Sequence, residues 1–90
     1  MRVALLAHDK PDALAIRQAN RAAHLDHIKS TGTVEMAGPL LDAAGQMCGS
    51  LIILEVADMA AAQAWADADP YAQAGLFATV TLSHWNKVIG

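Results

Sequence analysis

Leu51-Ile52-Ile53-Leu54 is apolar at every successive position, and no other feature of the chain restricts its fold as strongly. The run is short and follows Gly49, which favours a strand over a helix. Side chains of a strand alternate between the two faces of its sheet, so an unbroken apolar run needs cover on both. A chain of 90 residues holds one hydrophobic core, because a second would need roughly 50 further residues. It can cover one face itself. A hydrophobic content of 54% against 17% charged residues exceeds what so small a surface accommodates in water, and a second copy of the chain is the simplest cover for the other face.

The rest of the sequence supplies the elements around that strand. Residues 2–8 read as a short apolar strand, stopped by Asp9-Lys10-Pro11-Asp12, with Asp12 as the expected helix N-cap. From Ala13 to Thr31 neither Pro nor Gly interrupts a helical stretch, and Gly32 stands where a left-handed C-cap belongs. Val34–Leu41 and Gly49–Val56 read as an antiparallel pair; Gly38-Pro39 predicts a bulge and confines the first of them to a sheet edge. Asp58 is the expected cap of a second helix, Met59–Ala68, anchored by Trp65. Asp69 and Pro70 open a further short turn that Gly75 ends, and Leu76–Leu82 alternates as a last strand. The tail, Ser83–Gly90, includes His84. Strand, helix, strand, strand, helix, strand with right-handed crossovers closes into an α+β, ferredoxin-like βαββαβ domain over residues 1–90. Its four-stranded antiparallel sheet carries both helices on one face, and the open face predicts a homodimer.

Several function classes are disfavoured. The net charge is −3 and the six Lys and Arg residues are scattered, which gives no footprint for nucleic acid. No segment approaches the about 20 apolar residues of a membrane span. Met1–Ala7 is too short an apolar run for a secretory signal and is expected to be the first strand. The single cysteine, Cys48, forms no internal disulfide, and a reducing cytoplasm is the expected location. The histidines lack the spacing of a metal site, and no cofactor is called for.

The first helix holds the pattern that bears on chemistry. At about 100° per residue, Leu14, Arg17, Arg21, Leu25 and Ile28 share one stripe, His24 borders it, and His27 turns away. Buried charges need partners. In one reading the arginines reach past the sheet edge to water or to Glu35 or Glu55, and His24 is an interior histidine. In the other the stripe walls a pocket, His24 acts as acid or base, and Arg17 and Arg21 hold an anionic substrate. An orienting carboxylate would then be Asp67 or Asp69, although Asp69 also suits simple capping of the turn that Pro70 begins. Ser50 could place a hydroxyl in such a pocket, but no Gly-x-Ser-x-Gly elbow surrounds it, and Cys48 has no activating base.

Arg17, Arg21 and His24, then Ala37-Gly38-Pro39, Gly49-Ser50 and Ala64-Trp65-Ala66-Asp67-Ala68-Asp69-Pro70-Tyr71, resemble in order and spacing the YciI-like (YCII-related) family. The resemblance implies a dimeric α/β barrel in which two sheets face each other. It also implies an active site built on a His and Asp pair, which falls on His24 and Asp69, with Arg17, Arg21, Ser50 and Tyr71 as candidate substrate-binding residues. Related dimeric barrels include isomerases, lyases and monooxygenases of small, often aromatic-derived acids. The expectation is therefore a cofactor-independent lyase, isomerase or hydrolase that moves a proton on a small anionic or aromatic-derived compound. The alternative is a non-catalytic ligand-binding or accessory subunit.

Overall fold

The structure, a computed structural model, describes residues 1–90. The elements are β1 Arg2–Asp9, α1 Leu14–Thr31, β2 Val34–Leu41, β3 Met47–Glu55, α2 Met59–Ala68, α3 Pro70–Gln73 and β4 Phe77–His84. They form one antiparallel sheet in the order β2-β3-β1-β4, which is the ferredoxin-like arrangement. β2, the strand that carries Gly38-Pro39, lies at the edge as expected.

Strand parity explains the core. Val3, Leu5 and Ala7 of β1 and Ile52 and Leu54 of β3 point to the helix side, where they pack with Ala62, Trp65 and Ala66 of α2. A second cluster, Ala13, Tyr71 and Leu76, joins the start of α1 to α3 and to the approach of β4. On the opposite face Leu6 pairs with Leu51, and Ala4 with Ile53. Ile53 is buried there, but Leu6, Leu51 and Met36 are 37%, 43% and 51% exposed. The apolar run in β3 is thus sealed on its inner side and only half covered on its outer one.

Local expectations meet the structure unevenly. Asp58 caps α2, its Oδ1 accepting from Ala61 N–H at 2.8 Å, and Gly32 closes α1 at φ 66°. Asp12 does not cap α1; it turns with φ 56°, and Ala13 takes the capping position without a side-chain hydrogen bond. That position serves packing instead, since Ala13 is buried in the cluster with Tyr71 and Leu76. The irregularities of the β2 ladder flank Gly38-Pro39, between Val34 and Met36 and between Leu40 and Leu41, rather than coinciding with it. β4 runs on to His84, which is therefore strand and not tail. His27 is half-buried, with Nε2 3.1 Å from the Trp65 carbonyl, because α2 lies on that flank of α1. No helix is long and apolar enough to cross a membrane.

Candidate active site

The break between α2 and α3 fixes the centre of the site. Asp69 precedes Pro70 and is held extended at φ −61°, ψ 124°, where a residue before proline is favoured. Its Oδ1 accepts the Tyr71 N–H at 3.0 Å and so caps α3. The same oxygen lies 2.8 Å from Nδ1 of His24, which projects from the middle of α1. His24 and Asp69 are 6% and 1% exposed. A carboxylate can only accept, so Nδ1 carries the proton and donates, leaving Nε2 as the basic nitrogen. Nε2 has no hydrogen-bond partner in the protein and is not sealed off, and His24 lines a cavity of about 190 Å³. Asp69 Oδ2 is buried without a partner. Capping and histidine orientation, alternatives in the sequence, are performed here by one oxygen atom.

Tyr71, in the first turn of α3, stacks on the His24 ring at 3.9 Å between centroids with 12° between planes. The Arg17 guanidinium lies 4.7 Å from the Tyr71 centroid, within cation–π range. Phe77 meets Tyr71 edge-on at 6.1 Å. Arg17 is itself held by Asp9, with Nε and Nη2 each 2.8 Å from a carboxylate oxygen, and donates from Nη2 to Ser50 Oγ at 3.0 Å. Glu35 and Glu55 are not its partners; Glu35 accepts from Arg2 Nε at 2.6 Å on the other face of the sheet. Burial works against the Arg17 charge, but the Asp9 hydrogen bond and charge outweigh it and raise the guanidinium above its ordinary value. Burial pushes the Tyr71 hydroxyl up, opposed by the charges of Arg17 and Arg21.

Arg17, Arg21, His24, Ser50 and Tyr71 all line the cavity, with Leu25, Ile28, Pro39 and Ile52 among its apolar walls. Asp69 stands behind His24. Arg21 is exposed and makes no ion pair, so it is the cavity's unengaged cation. Asp67 instead accepts from Gln63 Nε2 at 2.9 Å on the surface of α2, and His8, His27 and His84 stand outside the cavity. Asp9 was not foreseen. Its signal is parity: Val3, Leu5, Ala7 and Asp9 share one side of β1, and a carboxylate ending an inward row must find a cation.

The family model described as the YCII-related domain matches residues 1–86. Protein YciI of Escherichia coli is 39% identical over 93 residues, covering 93% of this chain and 95% of that protein. An uncharacterized protein of Haemophilus influenzae is 32% identical with the same coverage. Among solved structures, a 5-chloro-2-hydroxyhydroquinone dehydrochlorinase from Burkholderia phenoliruptrix, in complex with 2,5-dihydroxybenzoquinone, superposes with a TM-score of 0.89. It is 29% identical, over 96% of this chain and 94% of its own. An antibiotic biosynthesis monooxygenase, 16% identical over 96% of this chain and 98% of its own, shares the fold at a TM-score of 0.55.

Proposed function

The chain belongs to the YCII-related family, and on that premise we propose that it is a small-molecule enzyme in which His24, oriented by Asp69, transfers a proton on a small oxygenated ring compound. The observation that carries this reading is the 2.8 Å contact between His24 Nδ1 and Asp69 Oδ1, with Nε2 left free. In the forward step Nε2 takes a proton from an acidic O–H or C–H of the substrate. The positive charge that forms on the imidazole is stabilised by the Asp69 carboxylate, and the electron pair left on the substrate collects on an oxygen near Arg21 and the Tyr71 hydroxyl. Return of the proton to another substrate atom gives an isomerisation; if instead the pair left on the substrate forms a double bond, a leaving group departs as an anion with its own bonding pair, and His24 Nε2 then releases its proton to water, the result is an elimination. Base, acid and charge stabilisers are all side chains, so the step needs no cofactor.

The cavity supports the substrate class. Its volume of about 190 Å³ compares with the about 150 Å³ of an apolar cavity that accepts benzene, which suits one substituted ring. The dehydrochlorinase, a likeness over almost the whole chain, is described with a dihydroxybenzoquinone. The reading also includes a homodimer formed through the outer sheet face, where Leu6, Leu51 and Met36 are exposed, and a reducing, cytoplasmic setting consistent with the free Cys48.

The test is a panel of hydroxylated and halogenated monocyclic aromatics, quinols and small acids, followed by absorbance and by proton or halide release. Wild-type protein is expected to turn over at least one member, and His24→Ala to lose that turnover by about 10²-fold or more with an unchanged circular dichroism spectrum. Saturable binding without turnover by wild type would support a ligand-binding subunit instead, and full activity in His24→Ala would remove the histidine from the mechanism.

A further inference from the structure

We infer that His27 is a positioning residue of this site: through its Nε2–H bond to the Trp65 carbonyl it fixes how closely the end of α2 presents Asp69 to His24. This role deepens the proposed proton-transfer reading and rests on it for its functional meaning, but the geometry behind it is independent of any substrate.

Asp69 is held rigidly by its own backbone surroundings. Its N–H closes on the Ala66 carbonyl at 3.3 Å, its Oδ1 accepts the Tyr71 N–H, and Pro70 follows it. The distance from its carboxylate to His24 therefore depends on where the last turn of α2 stands against α1. In a continuing helix the Asp69 N–H would reach the Trp65 carbonyl, four residues earlier. Here it turns to Ala66 instead, and the Trp65 carbonyl is left for a partner outside the helix. His27 supplies that partner at 3.1 Å, in the one hydrogen bond that runs from α1 to the main chain of α2.

His24, His27 and Thr31 follow one another at intervals of three and four residues, so they lie along one flank of α1. On that flank His24 meets Asp69, His27 meets the Trp65 carbonyl, and Thr31 Oγ1 accepts the Trp65 indole N–H at 2.8 Å. The His27 ring also lies against the indole, at 4.5 Å between centroids with 34° between planes. The Thr31 bond reaches a side chain, whereas the His27 bond reaches backbone about one helical turn before Asp69. His27 lines no part of the cavity, so it acts through Asp69 and His24 and not on a ligand.

The two histidines donate from different nitrogens, His24 from Nδ1 to a carboxylate and His27 from Nε2 to a carbonyl. Nitrogen-15 spectra of the imidazoles distinguish these tautomers at alkaline pH, where the rings are neutral, with no substrate present. The chain holds four histidines, and the His24 signals are identified by their loss in His24→Ala. In wild type His24 is expected in the Nδ1–H form alone. His27→Phe keeps a ring against Trp65 and loses the donor, whereas His27→Gln loses the ring and keeps an N–H donor. The Nε2–H form of His24 is expected to appear in His27→Phe and to stay absent in His27→Gln. A wild-type His24 pattern in His27→Phe overturns the inference. So does the same change in both variants, because packing and not the hydrogen bond would then be at work. Should His27→Phe fail to fold, His27→Ala, donorless and too small to clash, takes its place with the same outcomes. On a substrate from the panel, kcat is expected to fall by about 10–10²-fold in the donorless variant with KM unchanged, as misplacement of a reacting group does. Equal kcat in the donorless variant and in His27→Gln overturns the inference. Failure of the whole panel would count against the proposed reaction while leaving the imidazole spectra readable, so the two failures are distinguishable.

Discussion

Asp69 condenses the site into one residue. Its Oδ1 accepts from both Tyr71 N–H and His24 Nδ1, while Oδ2 is buried and unpartnered. Asp69→Asn keeps an acceptor for both donors and removes the charge, while its amide N–H groups take the buried position of the unpartnered Oδ2. On the proposed mechanism, turnover in Asp69→Asn falls by about 10²–10⁴-fold, the range of general acid–base contributions. Its melting temperature changes less than that of Asp69→Ala, which also loses a cap worth about 1 kcal/mol. Steady-state rates and thermal melts of the two variants check this, and an Asn variant with wild-type rates would show that His24 needs no charged partner. Most of this residue's role was legible in the chain, since Asp before Pro is a capping signal and His24 on the inward stripe of α1 needs a partner. What was not legible is that one oxygen serves both, because that depends on how close α1 and α3 approach. Arg17 shows the same limit. Its need for a carboxylate was clear from the helix stripe, but the choice of Asp9 over Glu35 or Glu55 is made by which face of the sheet each carboxylate takes on β1, β2 and β3.

At the scale of elements, β1 and β3 determine where the site sits. Ser50 lies on the inward side of β3 and Asp9 ends the inward row of β1, so the polar end of the sheet's helix face lies where the two strands meet. They come together closely because Gly49 lacks a side chain: a Cβ there would collide with the Ala7 carbonyl oxygen and lie 2.9 Å from Leu40 Cδ1. Gly49→Ala is therefore expected to destabilise the fold by about 1–3 kcal/mol, as overpacking does. Gly38→Ala, whose new methyl meets nothing within 4 Å, is expected to stay within about 0.5 kcal/mol of wild type. Urea denaturation of both measures the contrast, and equal midpoints would remove the close approach as Gly49's role. Element order and the edge placement of β2 followed from periodicity and from Gly38-Pro39. The start of α1 did not, because Ala13 is recruited to a tertiary cluster that local capping rules do not describe.

For the whole molecule, the outer sheet face is the unresolved debt of the apolar run in β3. The inner residues Ile52 and Leu54 are fully buried, and Ile53 is covered on the outer side, but Leu51 and its neighbour Leu6 remain exposed beside Met36. Three large apolar side chains on adjacent strands form a contiguous surface that water disfavours, and the self-complementary packing of a two-fold dimer would remove it. An interface of ordinary size covers about 800 Å² on each partner, which one face of a four-stranded sheet can supply. Arg2 and Lys87 both pair with Glu35, and Arg2 also approaches Glu55, at one end of the sheet, so these charges are already engaged within one chain. The association is therefore expected to depend on the apolar surface rather than on those ions. Sedimentation at micromolar concentration is expected to show a dimer for wild type that persists in added salt, and a monomer for Leu51→Glu, in which two carboxylates would be brought together at the interface. A monomeric wild-type chain would leave Leu6, Leu51 and Met36 as a surface with no partner of its own kind.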